Sequence, residues 1–112
     1  MSSALIPPPR TRARRAATNE SVHRTMNERQ ERKAATDDTF MKCECECFRI
    51  ECASNFQITL DAYETVRANG RNFIVAPGHQ TDDEPILSTT PTYLVIAKIG
   101  EEGRVAEALD PR

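Results

Sequence analysis

Apolar positions are sparse in the first third of the chain and crowd into the rest. From Asn55 to Leu60 they alternate, with Phe56, Ile58 and Leu60 on one face, which predicts a half-buried strand. A helix follows, capped by Thr59 or Asp61 and reaching about Ala68. Leu60, Tyr63 and Val66 line its inner side, and Asn69-Gly70 stops it. Phe73-Ile74-Val75-Ala76 is apolar without a break, the pattern of a strand covered on both faces, and is expected at the centre of the sheet. Ile86–Thr89 and Tyr93–Ile99 predict two further strands across a Thr90-Pro91 turn, because proline fits that turn and would not fit a central strand. Gly100 ends the second of these. Val105, Ala108 and Leu109 then share one face of a last short helix before Asp110-Pro111. Ahead of the whole set, Phe40 to Cys45 predicts a short strand.

The first third reads differently. Asn19 to about Ala35 is expected to be helical, with Asn19 as N-cap and Glu20 in the first turn. Its apolar stripe is thin, comprising Val22, Met26 and then only Ala34 or Ala35, so a solvated charged helix is expected, broken by Thr36-Asp37-Asp38. Before it, Pro7-Pro8-Pro9 and Arg10, Arg12, Arg14 and Arg15, spaced by Thr and Ala, have the composition of a disordered tail. The expected organisation is therefore a basic tail over residues 1–18, a polar helix over 19–35, and a domain over 40–112. That domain is of small α+β class, a mainly antiparallel sheet with one or two packed helices.

Charge sharpens this division. The net charge of −2 conceals eight Lys/Arg against three Asp/Glu in residues 1–35, and seven against fourteen in residues 36–112. A basic arm on an acidic body fits contact of residues 10–15 with nucleic acid or an acidic protein partner, or attraction between tail and body. No aromatic residue interleaves the arginines to stack on bases, and a solvated tail is the simpler expectation. With 112 residues, 5% aromatics and no Trp, the chain is at most one domain plus a tail, near the size at which small cores need a staple. No apolar run approaches the roughly 20 residues of a membrane span.

All four cysteines fall in Cys43-Glu44-Cys45-Glu46-Cys47-Phe48-Arg49-Ile50-Glu51-Cys52. The opening residues show no cationic stretch followed by an apolar run, so a cytoplasmic location with reduced thiols is expected. Glu44, Glu46 and Glu51 oppose thiolate formation, which argues against a nucleophilic cysteine, but they favour a nearby cation. On an extended strand Cys43 and Cys47 lie about 13 Å apart. Sulfurs around one tetrahedral zinc must approach within about 4 Å, so the backbone has to turn, and the natural place is between Cys47 and Cys52. Cys45, Cys47 and Cys52 then form the most compact trio. The fourth ligand is either Cys43 or His79, which sits on the turn-forming Pro77-Gly78 pair. His23, in the polar helical segment, is less suited. Cys-x-Cys-x4-Cys is not a standard zinc-finger spacing.

There is no phosphate-binding glycine loop and no Ser/His/Asp arrangement. His79 with Asp82 or Asp83 would mimic a base and its orienter but lacks a nucleophile, so no enzymatic activity is expected. Asp82-Asp83-Glu84-Pro85 reads as a solvated acidic loop. The leading expectation is a zinc-stabilised interaction or regulatory module; the alternatives are a nucleic-acid-associated protein and a thiol-based metal or redox sensor using Cys43 or an open metal position.

The order of motifs resembles a family of small uncharacterised actinobacterial proteins. The residues that carry the resemblance are Asn19-Glu20, Asn27-Glu28-Arg29, Cys45-Glu46-Cys47 with Cys52, Ile58-Thr59-Leu60, Tyr63-Glu64-Thr65-Val66-Arg67, Arg71 through His79, Tyr93-Leu94-Val95 and Asp110-Pro111-Arg112. The resemblance implies that Cys45, Cys47, Cys52 and His79 act together and leaves Cys43 outside the pattern. It brings no activity with it. Where those proteins carry Gly-Asp after the second cysteine, this chain has Phe48-Arg49, which implies a less relaxed turn.

Overall fold

The computed structural model describes residues 9–34 and 39–112, with side chains from residue 15 of the first segment onward. The fold is α+β: helix α1 (Pro9–Lys33), strands β1 (Phe40–Glu44) and β2 (Asn55–Thr59), helix α2 (Leu60–Arg67), strands β3 (Asn72–Val75), β4 (Ile86–Thr89) and β5 (Leu94–Ala97), and helix α3 (Gly100–Ala108). The strands form two antiparallel sheets rather than one, a β1-β2 hairpin and a three-stranded sheet in the order β3-β5-β4. Phe56 of the hairpin stacks on Tyr93 beside β5, with ring centroids 5.3 Å apart, and so joins the two sheets.

Local chemistry sets the boundaries of α2. Thr59 adopts extended angles and its hydroxyl accepts from the Ala62 amide at 3.1 Å, an N-cap that satisfies one otherwise orphaned donor. Tyr63 and Val66 turn inward onto Phe73, Ile74, Val75, Leu94, Val95 and Ile96, while Met41, Phe56 and Ile58 close the core from the hairpin. Cys43, Cys45 and Cys47 belong to that same interior.

β3 does not lie between two strands, as its apolar run predicted; β5 holds the central place. The second edge of β3 is instead met by the segment that leaves β1. The Glu46 amide donates to the Ile74 carbonyl at 2.8 Å, and the Glu46 carboxylate accepts from the Ile74 amide at 2.9 Å. A backbone amide and a side chain thus stand in for a second neighbouring strand, and Phe73, Ile74 and Val75 are buried without one.

The larger correction concerns α1. It begins at Pro9, so residues 9–18 are its first turns rather than part of a disordered tail. Residues 1–8 and the expected break at Thr36-Asp37-Asp38 lie outside the described residues. Val22 and Met26, the thin apolar stripe of the helix, are 43% and 40% exposed. The helix turns its polar side inward: Glu20, Ser21, His23, Arg24, Asn27 and Glu28 are all buried. It is therefore part of the body, not a separate solvated unit over residues 19–35.

Polar groups dock only where partners await them, and α1 meets two sets. Glu20, Arg24 and Glu28, spaced by four and so stacked on one face, reach the second half of the chain. Glu20 pairs with Lys98. Arg24 donates to the carbonyls of Gly70 and Ala106, each at 2.7 Å, and its guanidinium lies 4.4 Å from the Phe73 ring centre. Glu28 accepts from Tyr63, Arg67 and Arg112. Leu109, expected to share one face of the last helix with Val105 and Ala108, is exposed, and Gly103 and Ala106 take the buried positions of α3.

Glu84, expected in a solvated loop, also pairs with Lys98, and Glu102 lies 3.8 Å from the same ammonium. Three carboxylates around one buried cation leave an excess of negative charge. Burial pushes the Glu20 carboxyl up to about 8 from its ordinary 4.5, against the pull of Lys98 and with Glu84 and Glu102 adding to the rise. Glu20 therefore binds its proton more tightly in the folded state than in the unfolded one. Its stabilising contribution is complete below the unfolded value and is lost as pH rises through about 8. Urea midpoints of the native chain should fall between about pH 6 and pH 9 relative to those of Glu20→Gln, whose amide does not titrate. A difference between the two proteins that stays constant with pH would refute this assignment.

Candidate metal centre

The site is assembled from three places in the sequence. Beyond β1 the chain runs on as Cys45-Glu46, held to Ser54 by the Cys45 amide (2.9 Å) and to β3 by Glu46. It then turns back, and the Cys52 amide closes that turn on the Arg49 carbonyl at 3.0 Å. Phe48 and Arg49 make this turn without strain, since no residue other than glycine has a positive φ among the described residues. The stiffness expected from the missing glycine is absent.

β3 supplies the fourth group. Past Val75 the chain turns through Ala76-Pro77-Gly78, with the His79 amide bonded to the Ala76 carbonyl at 3.0 Å. Gly78 sits at φ 87°, the left-handed region that side chains disfavour. The turn aims the His79 Nδ1 at the thiols, 3.4 Å from Cys45 Sγ and 3.6 Å from Cys52 Sγ.

Ligand atoms of Cys45, Cys47, Cys52 and His79 all lie within 4.8 Å of one another. A tetrahedron with metal–sulfur bonds of about 2.3 Å and metal–nitrogen bonds of about 2.0 Å has edges of about 3.8 Å between sulfurs and about 3.5 Å from sulfur to nitrogen. The two sulfur–nitrogen separations fall on either side of that last value. The cluster is thus able to hold a metal ion, and of Cys43 and His79 it is His79 that lies with the three cysteines. Cys43 points into the core opposite Phe56, fully buried, with its thiol 3.6 Å from the Glu44 carbonyl.

Electrostatics separate the thiols. Burial pushes Cys45 up to about 12, although the Ala76 amide donates to its sulfur at 3.1 Å and favours the thiolate. Cys47 is raised by burial as well. For Cys52 burial acts upward, but hydrogen bonds from Ser54, Cys47 and Cys45 outweigh it and the thiol lies below its ordinary value. Thiols this crowded do not ionise together on their own; a bound cation deprotonates them by direct charge compensation.

The elements around the site hold what the sequence reading missed. A second stripe of α1, Asn19, His23 and Asn27, is again spaced by four and faces the cysteine loop. Asn19 donates to the Phe48 carbonyl at 2.9 Å. His23 Nδ1 lies 3.0 Å from the Cys47 carbonyl oxygen, and Nε2 lies 3.4 Å from that of Ile50. Asn27 donates to the Glu44 carbonyl at 2.9 Å and to the Glu46 carboxylate at 2.7 Å, and accepts from the Glu44 amide at 2.6 Å. Glu46 itself is fully buried, and burial pushes its carboxyl up to about 7. The signal that would have revealed these residues is the pair of adjacent polar stripes, 19/23/27 and 20/24/28, each at helical spacing.

Comparisons with protein-family models, with curated proteins and with solved structures find no match. No helix among the described residues is long and apolar enough to cross a membrane.

Proposed function

We propose that this chain is a zinc-stabilised interaction or regulatory module without catalytic activity, working in a reducing compartment such as the cytoplasm. The observation that carries the reading is the convergence of four ligand atoms, from segments up to 34 residues apart, within 4.8 Å. Three thiolates and one imidazole suit zinc among common divalent ions. Four protein ligands close the shell and leave no position for a substrate, which is the arrangement of structural rather than catalytic zinc. Kinship with the actinobacterial proteins that the chain resembles belongs to the same proposal. It is supported by the way residues of that pattern interlock, with Asn27 on Glu46 and Glu28 on Tyr63, Arg67 and Arg112.

Elemental analysis of the purified chain should find about one zinc per chain, as a single closed shell requires. The three ligand thiols should be shielded from alkylation until a chelator is added. A chain that carries no zinc as purified and takes up none on addition would end this reading. Rapid alkylation of one thiol in the zinc-loaded protein would favour the thiol-sensor alternative.

A further inference from the structure

α1 contributes almost nothing apolar to the interior; Ala17 is its one fully buried hydrophobic residue among those described. Its hold on the cysteine loop consists of hydrogen bonds to Glu44, Glu46, Cys47, Phe48 and Ile50. Three of these five residues, Glu44, Glu46 and Phe48, adjoin the clustered cysteines in the sequence, and a fourth, Cys47, is itself one of them. The loop between Cys47 and Cys52 lies outside both sheets, and an ion bound by its cysteines would fix the carbonyl oxygens that α1 needs. The adjacent stripe of the helix is anchored elsewhere, through Arg24 on Gly70 and Ala106 and through Glu28 on Tyr63 and Arg67.

We propose that α1 is a latch on the metal: docking of the helix raises the affinity of the Cys45/Cys47/Cys52/His79 site for zinc, and the bound ion in turn holds the helix in place. This rests on the zinc reading above and adds regulation to it. Reciprocity is obligatory, because two sites that share one conformational equilibrium change each other's binding by the same factor. Asn19, His23 and Asn27 act as positioning residues through the ligand loop, not as ligands. Anything that draws α1 from the body, such as a protein with its own claim on the helix, would weaken zinc retention.

Two substitutions test the latch by separate routes. Asn27→Ala removes a direct hold on the loop. Arg24→Met touches no residue of the loop and deletes only the far anchor, while keeping a long side chain over Phe73. Zinc dissociation constants, measured by competition with a chromophoric chelator, should rise about 10- to 100-fold for Asn27→Ala, the range typical of groups that orient metal ligands. They should rise at least about threefold for Arg24→Met, since coupling passes through docking of the whole helix. Unchanged affinity in Arg24→Met, with a loss in Asn27→Ala alone, would reduce the effect to local contacts and overturn the latch. Should either variant fail to fold, amide exchange on the native chain decides. Protection across residues 17–30 should drop at least about tenfold when zinc is withdrawn, and protection that stays the same would refute the coupling. Native chain that binds no zinc would refute the zinc reading itself, whereas zinc bound with uncoupled α1 would refute the latch alone.

Discussion

Cys47→Ala should purify with less than about a tenth of an equivalent of zinc and lose its cooperative unfolding transition, whereas Cys43→Ala keeps a full equivalent. Both thiols are buried and both belong to the same core cluster, so burial alone predicts similar effects. A bound ion would make the difference. In small metal-bound domains the binding energy of structural zinc is folding energy, about 10–16 kcal/mol in peptide systems, and three ligands retain far less of it than four. Cys43 lies outside the four-atom cluster, and its truncation costs the roughly 1 kcal/mol of an ordinary core deletion. Zinc content and thermal unfolding of the two variants, measured side by side, check this. Equal loss of metal would show that the wrong cysteine was left out of the shell.

What the sequence made legible follows from the kind of force at work in each element. Alternation of Phe56 and Ile58, the Thr59 cap and the Pro91 turn are local signals, and β2, α2 and the β4–β5 connection lie where those signals put them. The cysteine set was legible because reach around a small ion is a strict geometric condition. His79 was legible only as one of two choices, since which of Cys43 and His79 faces the trio depends on how the loop meets β3. α1 was misjudged because hydrophobic periodicity measures one kind of burial. Its inward face reads Asn, Glu, His, Arg, Asn, Glu, and each group depends on a partner 17 to 84 residues away that no local window contains. β3 was misplaced for a related reason. An apolar run reports burial on both faces but not whether the neighbour along its edge is a strand or the buried Glu46.

The second large effect is expected at Glu28, where that long-range polar burial is densest. Its carboxylate accepts from the Tyr63 hydroxyl at 2.5 Å, Arg67 Nε at 3.3 Å and Arg112 Nε at 2.8 Å. Arg67 has no exposed side-chain surface and also pairs with Asp110. Glu28→Ala leaves the Tyr63 hydroxyl without its acceptor and takes from the Arg67 guanidinium one of its two carboxylates. Removing one partner of a buried pair costs about 3–5 kcal/mol, most of it from the charge left behind. The contact with the partly exposed Arg112 adds little to that. Glu28→Gln, which keeps the shape and one acceptor oxygen, should lose less. The pH dependence carries its own sign. Burial alone would raise the Glu28 carboxyl, but the Arg112 and Tyr63 hydrogen bonds and the Arg67 charge bring it below its ordinary value. Its contribution is therefore present at neutral pH and is lost as pH falls through the folded value, so the gap between native chain and Glu28→Ala should narrow on acidification. Urea unfolding of the zinc-loaded proteins at neutral and acidic pH measures both effects. A loss under about 1 kcal/mol at neutral pH, or a gap that widens in acid, would mean that the Glu28 cluster is not what fastens α1 to the body.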